Sequence, residues 1–297
     1  MKKFNRIIVA LDMTDFDEKL LRYFSQFTAI TFPKKVYFVY VDPNLETPPN
    51  MDIAYKDEDG KPIPKDELLQ KVLTQRVKDL FANHYEVDFE VNVLEGKPLQ
   101  ALLHWTKVKE ADLLVLGNKK LSEGSGVVAN RIARNTNAAV LFVPETSTTP
   151  IKTLLVPIDF SSYAELAMNG ALQLAKELDQ AKIIAFNVFD VPLTGYPMVN
   201  MNYERFVKNM ATFKQEAFDD YLQKFELDRT TVETAYVENS KNNVAKHLHT
   251  FAHEKGVDLI VMGAKGHGLV DRILMGSVAE KLVNYEKETP ILILRSA

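Results

Sequence analysis

The sequence predicts an α/β protein made of two tandem doubly wound domains, each with a five-stranded parallel sheet covered by helices on both faces. Short apolar runs alternate with longer segments of helical periodicity, which is typical of buried parallel strands and their crossover helices. The whole pattern occurs twice with a period of roughly 146 residues, which is the size of a domain rather than of a solenoid unit. Right-handed crossovers leave few topologies, and we expect the strand order 3-2-1-4-5 in each domain.

The repeat consists of apolar segments that match between the two halves of the chain. The matched pairs are 6–12 with 153–159, 35–42 with 182–190, 111–117 with 257–263, and 139–143 with 291–294. We therefore predict one domain over residues 1–145 and a second over residues 151–297, with the polar segment 146–150 as the linker.

Local signals place the elements of each copy. In the second copy we predict strands near 153–158, 182–189, 231–237, 258–262 and 291–294, and helices near 162–178, 203–225, 242–255 and 277–286. The predicted helix boundaries are the capping boxes Ser162 to Glu165 and Asp15 to Glu18, the N-cap Ser240 and the stop signal Gly256.

The fifth strands of the two copies are apolar sheet edges that need cover. An uncovered edge exposes unpaired backbone groups, which invites pairing with another strand. We predict that the strand at 139–143 pairs with the strand at 291–294, so that the two copies form a pseudo-dimer within one chain.

A glycine-rich loop after the fourth strand of the second copy has the parts of an anion-binding site. Gly263 and Gly266 follow the apolar run 258–262, and Gly276 and Ser277 precede a predicted helix. Glycines let the backbone approach a ligand closely, and the first N–H groups of a helix favour negative charge. Further donors in the same loop are Lys265, His267 and Arg272.

The full spacing, G-x2-G-x9-G-S directly after a strand, resembles the nucleotide-binding motif of the ATP-binding universal stress proteins. The resemblance covers nearly the whole chain as a tandem pair, and it implies binding of ATP, with Mg²⁺ as an accompanying ion, in the second domain. It also implies that Asp159 lies near the adenine or ribose and that the backbone of Val188 meets the adenine edge. Pro157 and Ile158 would line the pocket. The ribose and phosphate positions of the family fall on Met262, Gly263, Gly266, Gly276, Ser277 and Val278. His267 would either touch a phosphate or be solvated.

The first copy departs from this motif. Lys120 stands where the second copy has Gly266, and Val127 stands where it has Ser277. The loop is also four residues shorter. A side chain at the close-approach position competes with phosphates for space, so we expect this copy to bind nucleotide poorly or not at all, although it retains Asp12.

Composition bounds the function further. The net charge is −4, so no basic face for nucleic acid is predicted. No apolar run reaches the roughly 18 residues that a membrane span requires. The chain has no cysteine, which excludes disulfides and thiol catalysis and fits a reducing cytoplasm.

No set of residues predicts a dedicated enzyme, because neither a G-x-S-x-G elbow nor an H-E-x-x-H motif occurs. We expect a stress-response protein in which bound ATP sets the conformation or the choice of a protein partner, whose identity the sequence does not reveal. Two alternatives stay open. One is an interaction module with a structural nucleotide or none, and the other is a slow ATP hydrolase.

Two further features carry weaker signals. His247, His249 and His253 lie in one predicted helix, and the last two are spaced as zinc ligands can be. The charged surroundings favour a solvated helix face over a metal site, since no carboxylate is clearly placed to complete one. The long connections 44–65 and 191–202 would each cover a crevice or form a partner surface.

Overall fold

The structure is a computed structural model of the 297-residue chain. It describes residues 3–45, 55–56, 62–82, 87–119, 125–147, 150–178, 181–190, 203–227, 231–240, 242–266 and 275–296. Most of the two long connections, together with Lys120 and His267, lies outside these described residues.

The first half alternates strands and helices. Its strands are β1 (Arg6–Leu11), β2 (Lys35–Asp42), the short β3 (Tyr55–Lys56) and β4 (Pro62–Ile63), β5 (Asp88–Glu95), β6 (Leu113–Gly117) and β7 (Ala139–Val143). Its helices are α1 (Phe16–Thr31), α2 (Lys65–Val77), α3 (Pro98–Val108) and α4 (Ser125–Asn135). Helix α2 continues as one π-helical turn, Lys78–Ala82.

The second half repeats the arrangement. Its strands are β8 (Thr153–Pro157), β9 (Lys182–Phe189), β10 (Glu233–Glu238), β11 (Leu259–Gly263) and β12 (Ile291–Leu294). Its helices are α5 (Ser162–Glu177), α6 (Tyr203–Gln223), α7 (Val244–Glu254) and α8 (Ser277–Tyr285). These elements agree with the predicted ones to within a residue or two at each end. Among the described residues, no helix combines the length and apolar character needed to cross a bilayer.

The strands form one ten-stranded sheet in the order β10-β9-β8-β11-β12-β7-β6-β1-β2-β5. Within each half the neighbouring strands are parallel, which confirms the predicted 3-2-1-4-5 order. At the centre β12 and β7 pair antiparallel, with Leu292 opposite Leu141. Each fifth strand thus covers the edge of the other, which confirms the predicted pairing of the two halves.

The apolar core is continuous across this central pairing on both faces of the sheet. Leu141 and Leu292 belong to one cluster, and Phe142 and Ile291 belong to the cluster on the opposite face. All four side chains are completely buried. Since burial of such a side chain contributes about 1.5–3 kcal/mol, the central strands bind the two halves into one unit.

Two of the predicted helix caps are wrong by position, and a third residue, Asp15, stands at the predicted N-cap position without the predicted side-chain bond. The N-cap of α5 is Ser161 rather than Ser162, because Ser161 has the extended backbone that lets its hydroxyl accept from the N–H of Ala164. Asp15 has helical dihedral angles, and its side chain makes no cap hydrogen bond. Helix α7 is capped by Asn243, which accepts from Lys246, and not by Ser240.

The predicted stop of α7 is confirmed. Gly256 has φ = 59°, a left-handed conformation that glycine adopts without steric cost, and its N–H donates to the carbonyl of His253. The chain therefore leaves the helix at this residue and turns directly into β11.

Candidate functional site

A cavity of about 350 Å³ lies at the carboxyl ends of β8 and β11, where the strand order of the second half reverses. Such switch points are where doubly wound sheets bind their ligands. We call this cavity the C-terminal crevice. It is lined by Pro157, Ile158, Asp159, Ala164, Phe186, Val188, Val244, Leu248, Met262, Gly263, Ala264, Lys265, Gly266, Gly276, Ser277, Val278 and Ala279. Every site residue predicted from the sequence lies on it except His267, which is outside the described residues.

The end of β8 holds Asp159 in a fixed orientation. The Ile158 N–H donates to the carbonyl of Phe186 at 2.8 Å, and the Asn187 side-chain amide donates to the Ile158 carbonyl at 2.6 Å. One carboxylate oxygen of Asp159, Oδ1, accepts from both the N–H and the hydroxyl of Ser161, at 3.0 and 2.6 Å. The other oxygen, Oδ2, is thereby turned towards the glycine loop.

Two glycines after β11 have no room for a side chain. A Cβ on Gly263 would lie 2.6 Å from the backbone carbonyl oxygen of Tyr163. A Cβ on Gly266 would lie 2.5 Å from Oδ2 of Asp159. The backbone here therefore approaches the carboxylate more closely than any other residue type would allow.

The loop returns to the crevice at the start of α8. The Gly276 N–H donates to the Ala264 carbonyl at 2.7 Å, which ties the beginning of the helix to the end of β11. Ser277 is the first helical residue and is exposed. The first-turn N–H groups of a helix have no intrahelical acceptor, and the helix dipole adds positive potential, so this wall of the crevice favours an anion.

The opposite wall is apolar. Phe186 and Val188 face the cavity from β9, and Val244 and Leu248 face it from α7. Phe186 belongs to no motif in the sequence, but it precedes Val188 by two residues, and strand alternation puts both side chains on one face. The crevice thus combines an apolar side with an anion-favouring side.

The equivalent cavity of the first half, which we call the N-terminal crevice, measures about 180 Å³. Lys119 lines this cavity, and its ammonium lies 2.6 Å from Oδ2 of Asp12 and donates to the hydroxyl of Thr14 at 2.8 Å. The Lys119 side chain is only 8% exposed. The ring of Phe16 packs against Gly117, where it stands in the space that a Cβ would take. The chain's own side chains therefore fill much of this crevice.

A buried carboxylate, that of Asp17, lies beside Asp12. Asp17 stands where the second half has Ala164, and it accepts from the N–H groups of Asp12 and Met13 and pairs with Arg76 at 3.1 Å. The pKa of Asp17 is raised to about 6, chiefly by burial and also by the charge of Asp12, against the lowering effects of the Asp12 backbone N–H and of Arg76. Burial alone would also raise the pKa of Asp12, but hydrogen bonds and charge from Lys119, with Thr14, hold it below its ordinary value.

Two histidines of α7 are partly exposed, as the interpretation of a solvated face expects, but they also contact a carboxylate that the sequence did not place beside them. His249 and His253 have their ring centroids 4.5 Å apart and meet the carboxylate of Glu286, which is completely buried. His247 is not part of this group. No local signal identifies Glu286, because it lies beyond the end of α8 and reaches the histidines only through the tertiary structure.

The fold and the crevice define the class of the protein. It is an α/β protein with two doubly wound domains in tandem, and the switch point of the second domain carries a cavity at the place where such folds bind ligands. The model of the Universal stress protein family matches residues 3–144 and 150–295. The chain therefore belongs to this family and carries two of its domains in tandem.

Known relatives and structures agree with this membership. A universal stress protein of Methanocaldococcus jannaschii is 32% identical over 145 residues, which is 48% of this chain and 82% of the relative. A relative from Staphylococcus haemolyticus is 32% identical over 147 residues, 49% of this chain and 85% of the relative.

The solved structure of a universal stress protein from Archaeoglobus fulgidus has a TM-score of 0.64 at 15% identity, and the match covers 99% of this chain and 97% of that structure's chain. A Pseudomonas aeruginosa structure has a TM-score of 0.67 at 11% identity, covering 98% and 93%. At these identities the two structures support the fold alone.

Proposed function

We propose that the C-terminal crevice binds ATP and that bound nucleotide sets the conformation or the partner choice of this universal stress protein during a stress response. The observation that carries the proposal is the convergence of residues far apart in the sequence on one cavity. Asp159 follows β8, Val188 lies in β9, and the Gly263–Gly266 and Gly276–Val278 segments flank the loop after β11. We further propose a cytoplasmic location, which the absence of cysteine fits.

The two sides of the crevice match the two ends of an adenine nucleotide. Pro157, Ile158 and Val188 offer apolar surface to the adenine ring, and the Asp159 carboxylate offers an acceptor for ribose hydroxyls. The backbone at Gly266 and the start of α8 at Ser277 and Val278 offer N–H groups to the phosphates. Mg²⁺ would neutralise the phosphates and reach Asp159 through water.

We propose that the N-terminal crevice does not bind the nucleotide. The carboxylate that corresponds to Asp159 is Asp12, and it is already paired with the buried Lys119. A ligand would have to displace this ammonium and compete with the Phe16 ring in a cavity about half as large. The Lys120 and Val127 differences in the sequence are a separate reason to expect weak nucleotide binding in the first half.

Isothermal titration of the full chain with ATP and Mg²⁺ tests both statements. We expect one nucleotide per chain, and we expect Gly266→Glu to abolish the binding because its side chain would enter the space next to Asp159. The matched control is Lys120→Glu, which places the same side chain at the equivalent position of the first half and should leave the titration unchanged. Absence of ATP binding by the wild-type chain, or normal binding by Gly266→Glu, would overturn the proposal.

A further inference from the structure

We infer that His249, His253 and Glu286 form a zinc-binding site distinct from the C-terminal crevice. The two histidines lie on one face of α7, near its end, and the glutamate lies immediately after α8. One ligand atom from each residue can be chosen such that all three atoms lie within 4.8 Å of one another. Among the described residues this is the one group of metal-ligating side chains that is so compact.

The carboxylate of Glu286 is held in place before any ion arrives. Its Oε1 accepts from the backbone N–H groups of Glu288 and Thr289, at 3.0 and 2.8 Å. These bonds leave Oε2 directed at the His249 ring, whose Nδ1 lies 2.8 Å away. Outer hydrogen bonds that fix the orientation of a ligating carboxylate are a regular part of metal sites.

Because the Glu286 carboxylate is buried, its ionised form is stabilised by a positive charge beside it. The Glu286 side chain is 0% exposed, and an ionised carboxylate removed from water is costly unless a cation or several hydrogen bonds compensate it. The side chains that contact it are the imidazoles of His249 and His253, whereas the neighbouring Lys287 ammonium donates to Asn118 Oδ1 and to the Val283 carbonyl. A divalent cation coordinated by both imidazoles would compensate the charge of the carboxylate.

The spacing suits a small tetrahedral ion. Ligands at about 2.0–2.2 Å from zinc stand roughly 3.4 Å from one another. His249 Nδ1 lies 2.8 Å from Glu286 Oε2, and His253 Nε2 lies 3.5 Å from Glu286 Oε1. These two separations lie on either side of that spacing, and the histidine side chains are 35% and 34% exposed, so an ion can reach them.

The donor set selects the kind of ion. Imidazole nitrogen with one carboxylate oxygen favours zinc and its first-row neighbours, whereas Mg²⁺ and Ca²⁺ prefer all-oxygen sites. Two histidines and one glutamate are three protein ligands, and they leave the fourth position of a tetrahedral zinc ion to water. The Glu288 carboxylate lies 3.4 Å from His253 Nδ1, the ring nitrogen on the far side from Glu286, where it would orient the ring as an outer partner.

A zinc ion bound at this site would link α7 to the turn after α8, which lies at the junction between the domains. The turn that carries Glu286 contacts the first half, since the Asn118 amide donates to the Glu286 carbonyl at 2.9 Å and Lys287 donates to Asn118 Oδ1 at 2.5 Å. Helix α7 also carries Leu248, which lines the C-terminal crevice. Zinc at this place would therefore restrain a helix that both the domain junction and the crevice depend on.

The test is a zinc titration of the untagged, chelator-treated full chain, with the visible absorption of bound Co²⁺ as a second readout. We expect one Zn²⁺ per chain and a raised melting temperature. His253→Gln should weaken zinc binding by at least about tenfold, the lower limit of what loss of even an outer-shell partner costs. Glu286→Gln should do the same. His104→Gln, which removes an exposed histidine from α3, is the control and should bind zinc as the wild type does.

Because Glu286 is buried, its variant can fail to fold, and the half-exposed His253 keeps the experiment decisive. A wild-type chain that binds no zinc would overturn the proposal and show that the three side chains form only a hydrogen-bonded contact. Equal zinc affinity of the wild type and His253→Gln would overturn it as well.

Discussion

The backbone of Gly266 lies so close to Asp159 that a Cβ on the glycine would stand 2.5 Å from Oδ2 of the carboxylate. The carboxylate cannot rotate away freely, because Ser161 holds its other oxygen with two hydrogen bonds. The glycine loop and the end of β8 therefore form one rigid corner of the C-terminal crevice. The predictions about nucleotide binding depend on this corner.

Asp159→Ala should weaken ATP binding, while Asp12→Ala, the same change in the N-terminal crevice, should not. A hydrogen bond to a charged group contributes about 1.5–3 kcal/mol, so the Asp159 variant should bind roughly 10- to 150-fold more weakly. The measurement is calorimetric titration with ATP and Mg²⁺. If Asp159→Ala lowered the melting temperature but left the affinity unchanged, its role would be confined to the turn into α5.

Asp12→Ala should instead cost stability. It would leave the buried ammonium of Lys119 without its carboxylate, and breaking a fully buried pair costs about 3–5 kcal/mol. Asp12 is itself 40% exposed, so we expect a smaller loss of about 1–3 kcal/mol in urea unfolding. The double variant Asp12→Ala, Lys119→Met should recover part of it. An unchanged unfolding midpoint in Asp12→Ala would contradict the importance of this pair.

Ser277→Ala should weaken ATP binding without lowering the melting temperature. The hydroxyl stands at the start of α8 on the crevice, but the N-cap of that helix is Gly276, so helix stability does not depend on the serine side chain. The expected loss is again about 10- to 150-fold in affinity. Equal ATP affinities of variant and wild type would remove this hydroxyl from the site.

The stability of the chain should fall as pH rises from about 4 to about 6 through the contribution of Asp17. Burial raises its pKa in the folded protein from the ordinary 3.8 to about 6. In this interval the folded state binds more protons than the unfolded state, so the free energy of unfolding decreases with pH. The contribution is fully present below about pH 3.8 and is lost as pH passes about 6, by an amount on the order of 3 kcal/mol.

The control for this pH effect is Asp17→Asn, which cannot ionise. Urea unfolding at pH 5 and pH 7 should show a difference between the two pH values that is larger in the wild type than in the variant. Identical differences in both proteins would mean that Asp17 is ionised throughout this range.

Leu292→Ala should destabilise both halves of the chain together. The side chain is completely buried and lies opposite Leu141 in the central strand pair, and such a truncation costs about 2–5 kcal/mol. We expect a single cooperative unfolding transition that shifts to lower urea concentration. Val108→Ala, at a position 60% exposed, should stay within about 0.5 kcal/mol of the wild type. Two separate transitions, only one of them shifted, would show that the halves unfold independently.

Local patterns in the sequence determined the order of elements, the repeat and the motif residues of the C-terminal crevice, but not its apolar wall of Phe186, Val244 and Leu248. Apolar runs such as 259–263 mark buried strands by composition, and glycines such as Gly263 and Gly266 mark close approaches by their position after a strand. Because the carboxyl ends of β8 and β11 must meet at the switch point, Asp159 and the glycine loop could be brought together from topology alone.

The tertiary structure alone decided which charged groups meet. Lys119 and Lys265 are the same residue at matched positions, yet the ammonium of Lys119 is buried against Asp12, and a second carboxylate, Asp17, lies beside Asp12 where the second half has Ala164. Likewise, Glu286 reaches His249 across a span of sequence that no periodicity connects. Such contacts depend on how side chains from separate elements pack together, and a local sequence pattern does not contain this information.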